Sequence, residues 1–282
     1  MRYKIILSYD GAAFHGWQMQ DNAPSVQGCL EDALGKLLGG PVRVTGAGRT
    51  DTCVNAIGYT AHFDVSEPVD SAQIAYKLNA ILPRGICVSG LCPAVDDFHA
   101  RFDATKREYT YFLHRVKDPF VENFSYRCGY ELDMEAMNKA ASLLLGKHDF
   151  SCFEKVGGDN KTSICTVVEA AWHPYTPTHV SLLGFGRTLS TESFAVDNYL
   201  YFRIAADRFL RNMVRAIVGT LIEVGRGRRS VEDFAKLILP TQDGTFEAQN
   251  VEAAAKGTLR SLAGESVPGH ALFLSRIEYP EI

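Results

Sequence analysis

The chain has 282 residues and a mass of 31.1 kDa, enough for one large domain or two medium ones with cores of their own. Hydrophobic residues form 46% of it and charged residues 22%, which excludes a largely disordered chain, and no run approaches the roughly 18 apolar residues of a membrane span. The net charge of −4 disfavours nucleic-acid binding unless positive charge is concentrated on one face.

The first part of the chain alternates short strands with two helices. Runs of alternating or β-branched apolar residues predict strands over 3–10, 42–45, 57–63 and 86–91. A helix is predicted from Ser25 to the glycine pair at 39–40, because serine is a favoured first cap and glycine a favoured stop. A second helix is predicted from the cap residue Asp70 to residue 78.

The second part repeats this mixture after a polar connector at 98–106. Strands are predicted over 107–116, 166–173, 180–185, 200–206 and 271–279. Helices are predicted over 134–145 and 209–224, and a further one starts after Ser230. Because some adjacent strands are joined by turns, we predict an α+β fold: two similar halves with antiparallel sheets flanked by helices. The halves are placed at 1–105 and 106–282.

Cysteine usage argues against a disulfide framework and against a zinc site. The cysteines are odd in number, scattered, and never spaced as C-x-x-C. We therefore expect free thiols, most of them buried, and no bound metal. No signal-peptide core follows Met1, so we expect a cytoplasmic protein that does not associate with membranes.

Positive charge is concentrated between residues 203 and 229. The only acids in this segment are Asp207 and Glu223. Its basic residues are Arg203, Arg208, Arg211, Arg215, Arg226, Arg228 and Arg229. The segment is therefore a candidate basic face for a polyanion, despite the negative net charge.

The loop at 46–52, Gly-Ala-Gly-Arg-Thr-Asp-Thr, is the first candidate for chemistry. It follows a predicted strand, as a dinucleotide-binding loop would, but Asp51 occupies the third glycine position and would repel a pyrophosphate. The chain has no phosphate-binding G-x-x-x-x-G-K loop, no H-E-x-x-H and no nucleophile elbow. If the protein is an enzyme, we expect it to need no cofactor.

An ordered series of motifs runs through nearly the whole chain. They are YDGAAFHGWQMQ at 9–20, SVQG at 25–28, GRTD at 48–51, FHARF at 98–102, REYTY at 107–111, HDF at 148–150, FLRNMVR at 209–215, LFL at 272–274 and YP at 279–280. Together they resemble the tRNA pseudouridine synthase A (TruA) family. One GRTD motif alone would be a weak signal, but the complete series is very specific.

This resemblance implies a fold, a reaction and a partner. The fold is the pseudouridine synthase fold, in which two α+β halves meet at a basic active-site cleft and the chain forms a homodimer. The reaction converts uridine to pseudouridine at positions 38, 39 and 40 of tRNA, in the anticodon stem-loop. The N1–C1′ glycosidic bond is cleaved, and the base turns and bonds again through C5, with no metal or organic cofactor.

The resemblance implies Asp51 as the catalytic carboxylate. Cleaving a glycosidic bond develops positive charge at C1′, which a carboxylate can stabilise, attack, or relieve by taking a neighbouring proton. An aspartate in a Gly/Thr loop ordinarily caps a turn, so only the flanking motifs favour catalysis. The arginine that the family places beside this carboxylate maps onto Arg215, where it would keep a buried Asp51 ionised.

Tyr109 corresponds to the aromatic residue that the family keeps near the uracil. Its ring could stack on the base and its hydroxyl could reach the proton that leaves C5. The alternative is that Tyr109 only fills one face of a sheet, and Tyr111 lies on the same face of the predicted strand.

Several arginines are candidates for contact with RNA. Arg49 would fill the gap left by the flipped nucleotide, or else contact a phosphate. Arg211 precedes Arg215 by four residues, which in a helix places both on one side, so it could reach a phosphate. The remaining candidates for phosphate contact are Arg226, Arg228 and Arg229.

The chain departs from the family pattern directly after Asp51. Where the family usually has GRTDAGVHA, this sequence has GRTDTCVNA, so Cys53 replaces a glycine and Asn55 a histidine. A Cβ at a glycine position can clash with a backbone of positive φ or with approaching RNA. We expect an effect on loop geometry and rate, and less effect on the type of reaction.

Two other functions and one other nucleophile are less consistent with the sequence. A catalytically silent tRNA-binding or tRNA-folding protein on the same scaffold is disfavoured because Asp51, Tyr109 and Arg215 are all retained. A glycoside hydrolase would need a second carboxylate, and none is indicated by spacing. A nucleophilic Cys53 has no evident histidine or aspartate partner in the sequence.

Overall fold

The computed structural model describes residues 1–157, 161–182, 198–240 and 259–280. The chain divides into two compact units. The first unit combines Met1–Glu108 with Phe273–Ile282, and the second is Tyr109–Leu272. The closing strand thus belongs with the N-terminal unit, whereas the sequence analysis assigned it to the C-terminal half.

The strands and helices of the described residues follow in chain order. The strands are β1 (Arg2–Tyr9), β2 (Val44–Gly46), β3 (Asn55–Asp64), β4 (Ile86–Ala94), β5 (Lys106–His114), β6 (Tyr126–Arg127), β7 (Gly146–Asp149), β8 (Ile164–Pro174), β9 (Tyr199–Ala206), β10 (Leu239–Pro240) and β11 (Leu272–Glu278). The α-helices are α1 (Val26–Leu38), α2 (Ser71–Ile81), α3 (Met134–Ser142), α4 (Thr178–Ser181), α5 (Met213–Gly225) and α6 (Val231–Ala235). The predicted α+β class is confirmed.

The sheet of the first unit has the strand order β11, β3, β1, β4, with β2 also paired to β3. The pairs of β1 with β3 and β4, and of β2 with β3, are antiparallel, whereas β11 runs parallel to β3. Every second residue of β1 is buried, as the alternating sequence predicts for a strand with one covered face. Both helix starts are confirmed, because Ser25 accepts from the Gly28 amide and Asp70 from the Gln73 amide.

The sheet of the second unit has the order β10, β7, β8, β9, β5, with β6 parallel to β5. Its pairs β10–β7, β7–β8 and β8–β9 are antiparallel. Helix α5 is buried on nearly every side, since eleven of its thirteen residues are buried. All eleven are apolar, glycine or threonine, as expected for a helix without a solvent-exposed face. Within the described ranges, no helix is long and apolar enough to cross a membrane.

Some element predictions in the second unit were wrong. The strand predicted over 180–185 is instead helical at Thr178–Ser181, and residues 183–185 lie outside the described ranges. Helix α5 begins at Met213 instead of residue 209, because Asn212 adopts a left-handed conformation with φ of 63° that cannot continue a right-handed helix. The short strand β7 was not predicted.

Candidate active site

Two buried tyrosine hydroxyls hold the loop that carries Asp51. The Tyr59 hydroxyl donates to the carbonyl of Gly48 and accepts from the Gly48 amide at 3.2 Å. The Tyr9 hydroxyl is hydrogen-bonded to Thr50 Oγ1 at 2.9 Å. Both rings are buried, and the hydrogen bond between Tyr9 and Thr50 is buried as well, so the two hydroxyls hold their loop residues in one place.

Arg107 fixes the start of the same loop from another direction. Its guanidinium donates to the carbonyls of Ala47 at 3.2 Å, Arg101 at 2.6 Å and Ala104 at 2.9 Å. The Ala47 amide donates to the Thr60 carbonyl of β3 at 2.9 Å. Ala47 is therefore held at both its amide and its carbonyl. These contacts fix the position of the backbone from which the loop runs to Asp51.

The glycines of the motif at 9–20 permit a close approach to the loop. A Cβ on Gly16 would lie 2.3 Å from the Thr50 carbonyl oxygen, and one on Gly11 would lie 2.3 Å from the Val54 carbonyl oxygen. The Trp17 amide, one residue after Gly16, donates to the Thr50 carbonyl at 3.2 Å. Glycine is needed at both positions because any side chain would displace the backbone next to Asp51.

Asp51 itself is half-buried, and Arg49 two residues earlier is exposed. The Asp51 carbonyl accepts from the Val54 amide at 3.1 Å, which closes a tight turn after the carboxylate. The sequence thus produces a carboxylate with access to solvent on a loop whose backbone is held by Tyr9, Tyr59 and Arg107. Such a group can approach a reacting carbon without first being ordered.

The two departures from the family pattern behave differently. Cys53 lies in the left-handed region with φ of 62°, where a glycine would be unstrained. Asn55 is buried and its Oδ1 accepts from the Gly11 amide at 2.8 Å. Asn55 therefore helps to hold the glycine motif against the loop, whereas Cys53 adds backbone strain two residues after Asp51.

We predict that Cys53→Gly stabilises the protein by about 0.5–1 kcal/mol, because relief of the left-handed strain of ~1–2 kcal/mol exceeds the added entropy of the unfolded chain. The free energy of unfolding in urea measures this change. Cys53→Ala is the matched control, since it removes the thiol but keeps the strained Cβ. A Cys53→Gly variant no more stable than Cys53→Ala would contradict the prediction.

In the second unit, Tyr109 and Tyr111 differ in how far they are buried. Tyr109 is half-buried and packs edge to face against Phe209, with ring centroids 5.1 Å apart. Tyr111 is fully buried, burial raises its pKa, and its hydroxyl donates to the Pro268 carbonyl at 3.2 Å. Of these two rings, only that of Tyr109 is open enough to meet a base.

Arg215 lies in the first turn of α5 and is half-buried. Its Nε donates to the Val267 carbonyl at 2.7 Å, and its own carbonyl accepts from the Val267 amide at 3.2 Å. This double contact orients the guanidinium group. Arg211 does not share a helix face with Arg215, as was predicted, because the helix begins only after Asn212.

The other candidate arginines differ in whether they already have interaction partners within the protein. Arg211 is exposed, and its Nη1 donates to the carbonyls of Val156 at 3.3 Å and Gly157 at 3.4 Å. The Arg226 guanidinium stacks 3.4 Å above the Tyr130 ring, and Arg229 pairs with Glu223 at 3.0 Å. Arg228 is exposed. Arg228 is thus more available to a phosphate than its two neighbours.

Among the described residues there is no group of three or more His, Cys, Asp or Glu side chains that could hold a metal ion.

Two residues of the site, Tyr59 and Arg107, were not predicted from the sequence. Their contacts with the loop connect residues far apart in the chain. Arg107 belongs to the REYTY motif, so the motif was a signal for it. Tyr59 had no signal beyond its place in a predicted strand.

Comparisons with known proteins show what the whole chain is similar to. The family model described as tRNA pseudouridine synthase matches residues 140–243. The chain is 45% identical over 282 residues to the tRNA pseudouridine synthase A of Bacteroides fragilis, covering 99% of this chain and 97% of the relative. It is 42% identical to that of Porphyromonas gingivalis over 99% and 97% of the two chains, and 37% identical to that of Bacillus licheniformis over 99% of each.

These full-length relatives identify the class of protein, the tRNA pseudouridine synthases. With relatives this similar over nearly the full length, the chain belongs to the tRNA pseudouridine synthase A family.

Proposed function

We propose that this protein isomerises uridine to pseudouridine in the anticodon stem-loop of tRNA, at positions 38, 39 and 40, without metal or organic cofactor. The observation that carries the proposal is Asp51, a half-buried carboxylate on a loop fixed by Tyr9, Tyr59 and Arg107. Relatives of nearly the same length, 37–45% identical, are named tRNA pseudouridine synthase A.

In the proposed reaction the N1–C1′ bond breaks, the uracil turns, and C5 bonds to C1′. Asp51 acts on the positive charge that develops at C1′ in one of two ways. It adds to C1′ as an ester, which C5 later displaces, or it takes the proton of the neighbouring C2′ and returns it when C5 bonds to C1′. The proton on C5 is then lost and N1 gains a proton, so that atoms and charge balance. A carboxylate already in place makes this possible without reorganisation of the loop.

Two residues of the second unit are proposed to serve the same reaction. Tyr109 is half-buried, and its ring is held by Phe209, which suits stacking on the uracil and removal of the C5 proton by its hydroxyl. Arg215 is proposed as the cation that keeps Asp51 ionised. Its contacts with Val267 fix its direction, as that role requires.

We propose that the exposed arginines bind the phosphates of the stem-loop. Arg49 would occupy the gap left by the flipped uridine or else contact a phosphate. Arg228 is exposed and can reach a phosphate as it stands. The other three, Arg211, Arg226 and Arg229, would have to leave internal partners. The chain is further proposed to act in the cytoplasm as a homodimer, as the TruA resemblance implies.

We predict that Arg228→Glu weakens tRNA binding and flattens the slope of log K against log salt concentration by about one unit, because one phosphate contact is lost. Arg226→Glu and Arg229→Glu should also lower the melting temperature, since each removes an internal contact. Lys77→Glu, on the exposed side of α2, is the charge-matched control. An unchanged slope for all three arginine variants would mean that the RNA lies elsewhere.

The experiment that tests the function is pseudouridine mapping of an unmodified tRNA transcript after incubation with the purified protein. Conversion at 38, 39 or 40 without added metal or cofactor supports the proposal. Tight tRNA binding with no conversion would favour a catalytically silent RNA-binding protein. Conversion only outside the anticodon stem-loop would overturn the substrate assignment.

A further inference from the structure

The aromatic side chain of Phe102 is exposed to solvent on the turn that precedes β5. Phe102 is 74% exposed, although burying a phenyl ring typically stabilises a protein by about 1.5–3 kcal/mol. The ring of His99 lies against it in a tilted arrangement, with centroids 4.2 Å apart and planes inclined by 30°. The Arg101 guanidinium lies 5.8 Å from the ring centroid. One side of the phenyl ring is therefore supported, and most of the ring remains open.

The turn beneath this ring is held by side chains throughout. His99 Nδ1 accepts from the amides of Arg101 and Phe102, each at 3.2 Å. The His99 amide donates to Asp103 Oδ2 at 2.7 Å, and the Ala100 amide donates to another imidazole at 3.1 Å. Such a network orders the ring before any ligand arrives, which lowers the entropic cost of binding.

The second imidazole in this network belongs to His62 of β3. Burial lowers the pKa of His62 to about 4, so its Nδ1 remains an acceptor for the Ala100 amide at neutral pH. The Ala100 carbonyl accepts from the Tyr279 hydroxyl at 2.7 Å. The exposed ring of Phe102 thus stands on a rigid support, which argues against a loosely packed surface loop.

The turn also lies next to the loop that carries Asp51. One nitrogen of Arg107 donates both to the Arg101 carbonyl and to the Ala47 carbonyl. Four residues lead from Ala47 to Asp51, which span at most about 14 Å when fully extended. A nucleotide on the exposed ring would therefore be close to the one at Asp51.

We propose that the rings of Phe102 and His99 form a stacking platform for a base of the tRNA that is unpaired next to the target uridine. This inference rests on the proposed function and names a binding subsite for it. Extraction of a uridine from a stem leaves its neighbours without a stacking partner, and an aromatic side chain can replace that partner whatever the base.

The chemistry of the surroundings favours a base over a phosphate at this position. Asp103 lies within the turn, and Asp96 and Asp97 are exposed just before it, so a phosphate would meet negative charge. A base is neutral and gains from the flat face of the ring, and the Arg101 guanidinium can add a cation–π contact. An apolar protein partner would not need the supporting imidazole.

The test compares the affinity of the full-length protein and its variants for an unmodified tRNA transcript. Loss of a stacked base costs roughly 1–3 kcal/mol, so Phe102→Ala should weaken binding by roughly 5- to 150-fold. The slope of log K against log salt should not change, because no phosphate contact is lost. Phe102→Trp should retain affinity within about twofold, since its ring can also stack.

Tyr76 on α2 provides a matched control, because it is 77% exposed in the same unit. Tyr76→Ala should bind tRNA as the unaltered protein does. Both substitutions lie at the surface and should leave the melting temperature nearly unchanged, so a folding defect cannot explain a difference between them. A 2-aminopurine base beside the target should be quenched on binding to the unaltered protein and less quenched with Phe102→Ala.

Affinity of Phe102→Ala within about twofold of Tyr76→Ala would overturn the platform, as would equal quenching with and without the ring. These outcomes are separate from the fate of the proposed function. If the unaltered protein makes pseudouridine and Phe102→Ala binds normally, only the platform fails. If the unaltered protein makes none, the reaction assignment fails, and the affinity comparison still decides whether Phe102 stacks on tRNA.

Discussion

Replacing Asp51 by asparagine is expected to lower the single-turnover rate of pseudouridine formation by roughly 10³-fold or more, with tRNA affinity changed by less than about threefold. Asparagine has nearly the same shape, so the turn closed by the Val54 amide on the Asp51 carbonyl should survive. What is lost is the negative charge that acts on C1′ in the transition state, which the bound ground state does not use.

The control for this variant is Asp70→Asn, the same substitution in the same unit. Asp70 caps α2 by accepting from the Gln73 amide, and asparagine caps helices about as well. It should leave both rate and affinity unchanged. Product formation by Asp51→Asn at a rate near that of the unaltered protein would remove Asp51 from the catalytic role, whereas loss of tRNA binding would indicate a positional role instead.

The elements of the first unit were predictable because their signals are local. The burial of β1 follows from alternation along eight residues, and α1 begins at Ser25 and ends at Gly39, which adopts the left-handed conformation with φ of 75°. The first signal lies within a single strand, and the caps act over four residues or fewer. No distant contact was needed to recognise them.

The errors in the second unit come from backbone conformations with no distinctive residue. Asn212 takes a left-handed φ, yet nothing in FLRNMVR distinguishes it from an ordinary helical asparagine. The predicted helix therefore started too early, and Arg211 was placed on a helix face that does not exist. Residues 180–182 are apolar enough for a strand, but they continue the short helix α4 and a turn.

The candidate site was only partly predictable from the residues themselves. Asp51 was singled out by the series of motifs, since an isolated aspartate in a glycine-rich loop predicts a turn. The hydroxyl of Tyr59 and the guanidinium of Arg107 reach the loop across 11 and 60 positions of the chain. Contacts of this kind depend on which strands pair and in which register. A single sequence specifies neither. The resemblance alone singled out Tyr109, and the difference in burial between Tyr109 and Tyr111 is visible only in the structure.

Arg215→Ala is expected to reduce the single-turnover rate by roughly 10²- to 10³-fold while the salt slope of tRNA binding stays the same, because its proposed partner is Asp51 and not a phosphate. Arg215→Lys should recover part of the rate by restoring a positive charge. Full recovery is not expected, since lysine cannot reproduce the planar donor group that contacts Val267 at 2.7 Å.

Arg260 supplies the control for Arg215, because it is also half-buried and holds the same segment of the second unit. It donates to the Gly264 carbonyl at 2.9 Å and to Ser266 Oγ at 2.7 Å, just before Val267. If Arg215 only holds that segment in place, Arg260→Ala should reduce the rate as strongly, and Arg215→Lys should not be faster than Arg215→Ala. A large loss for Arg215→Ala alone, partly restored by lysine, would support a charge that acts on the catalytic carboxylate. A flattened salt slope would instead assign Arg215 to a phosphate of the tRNA.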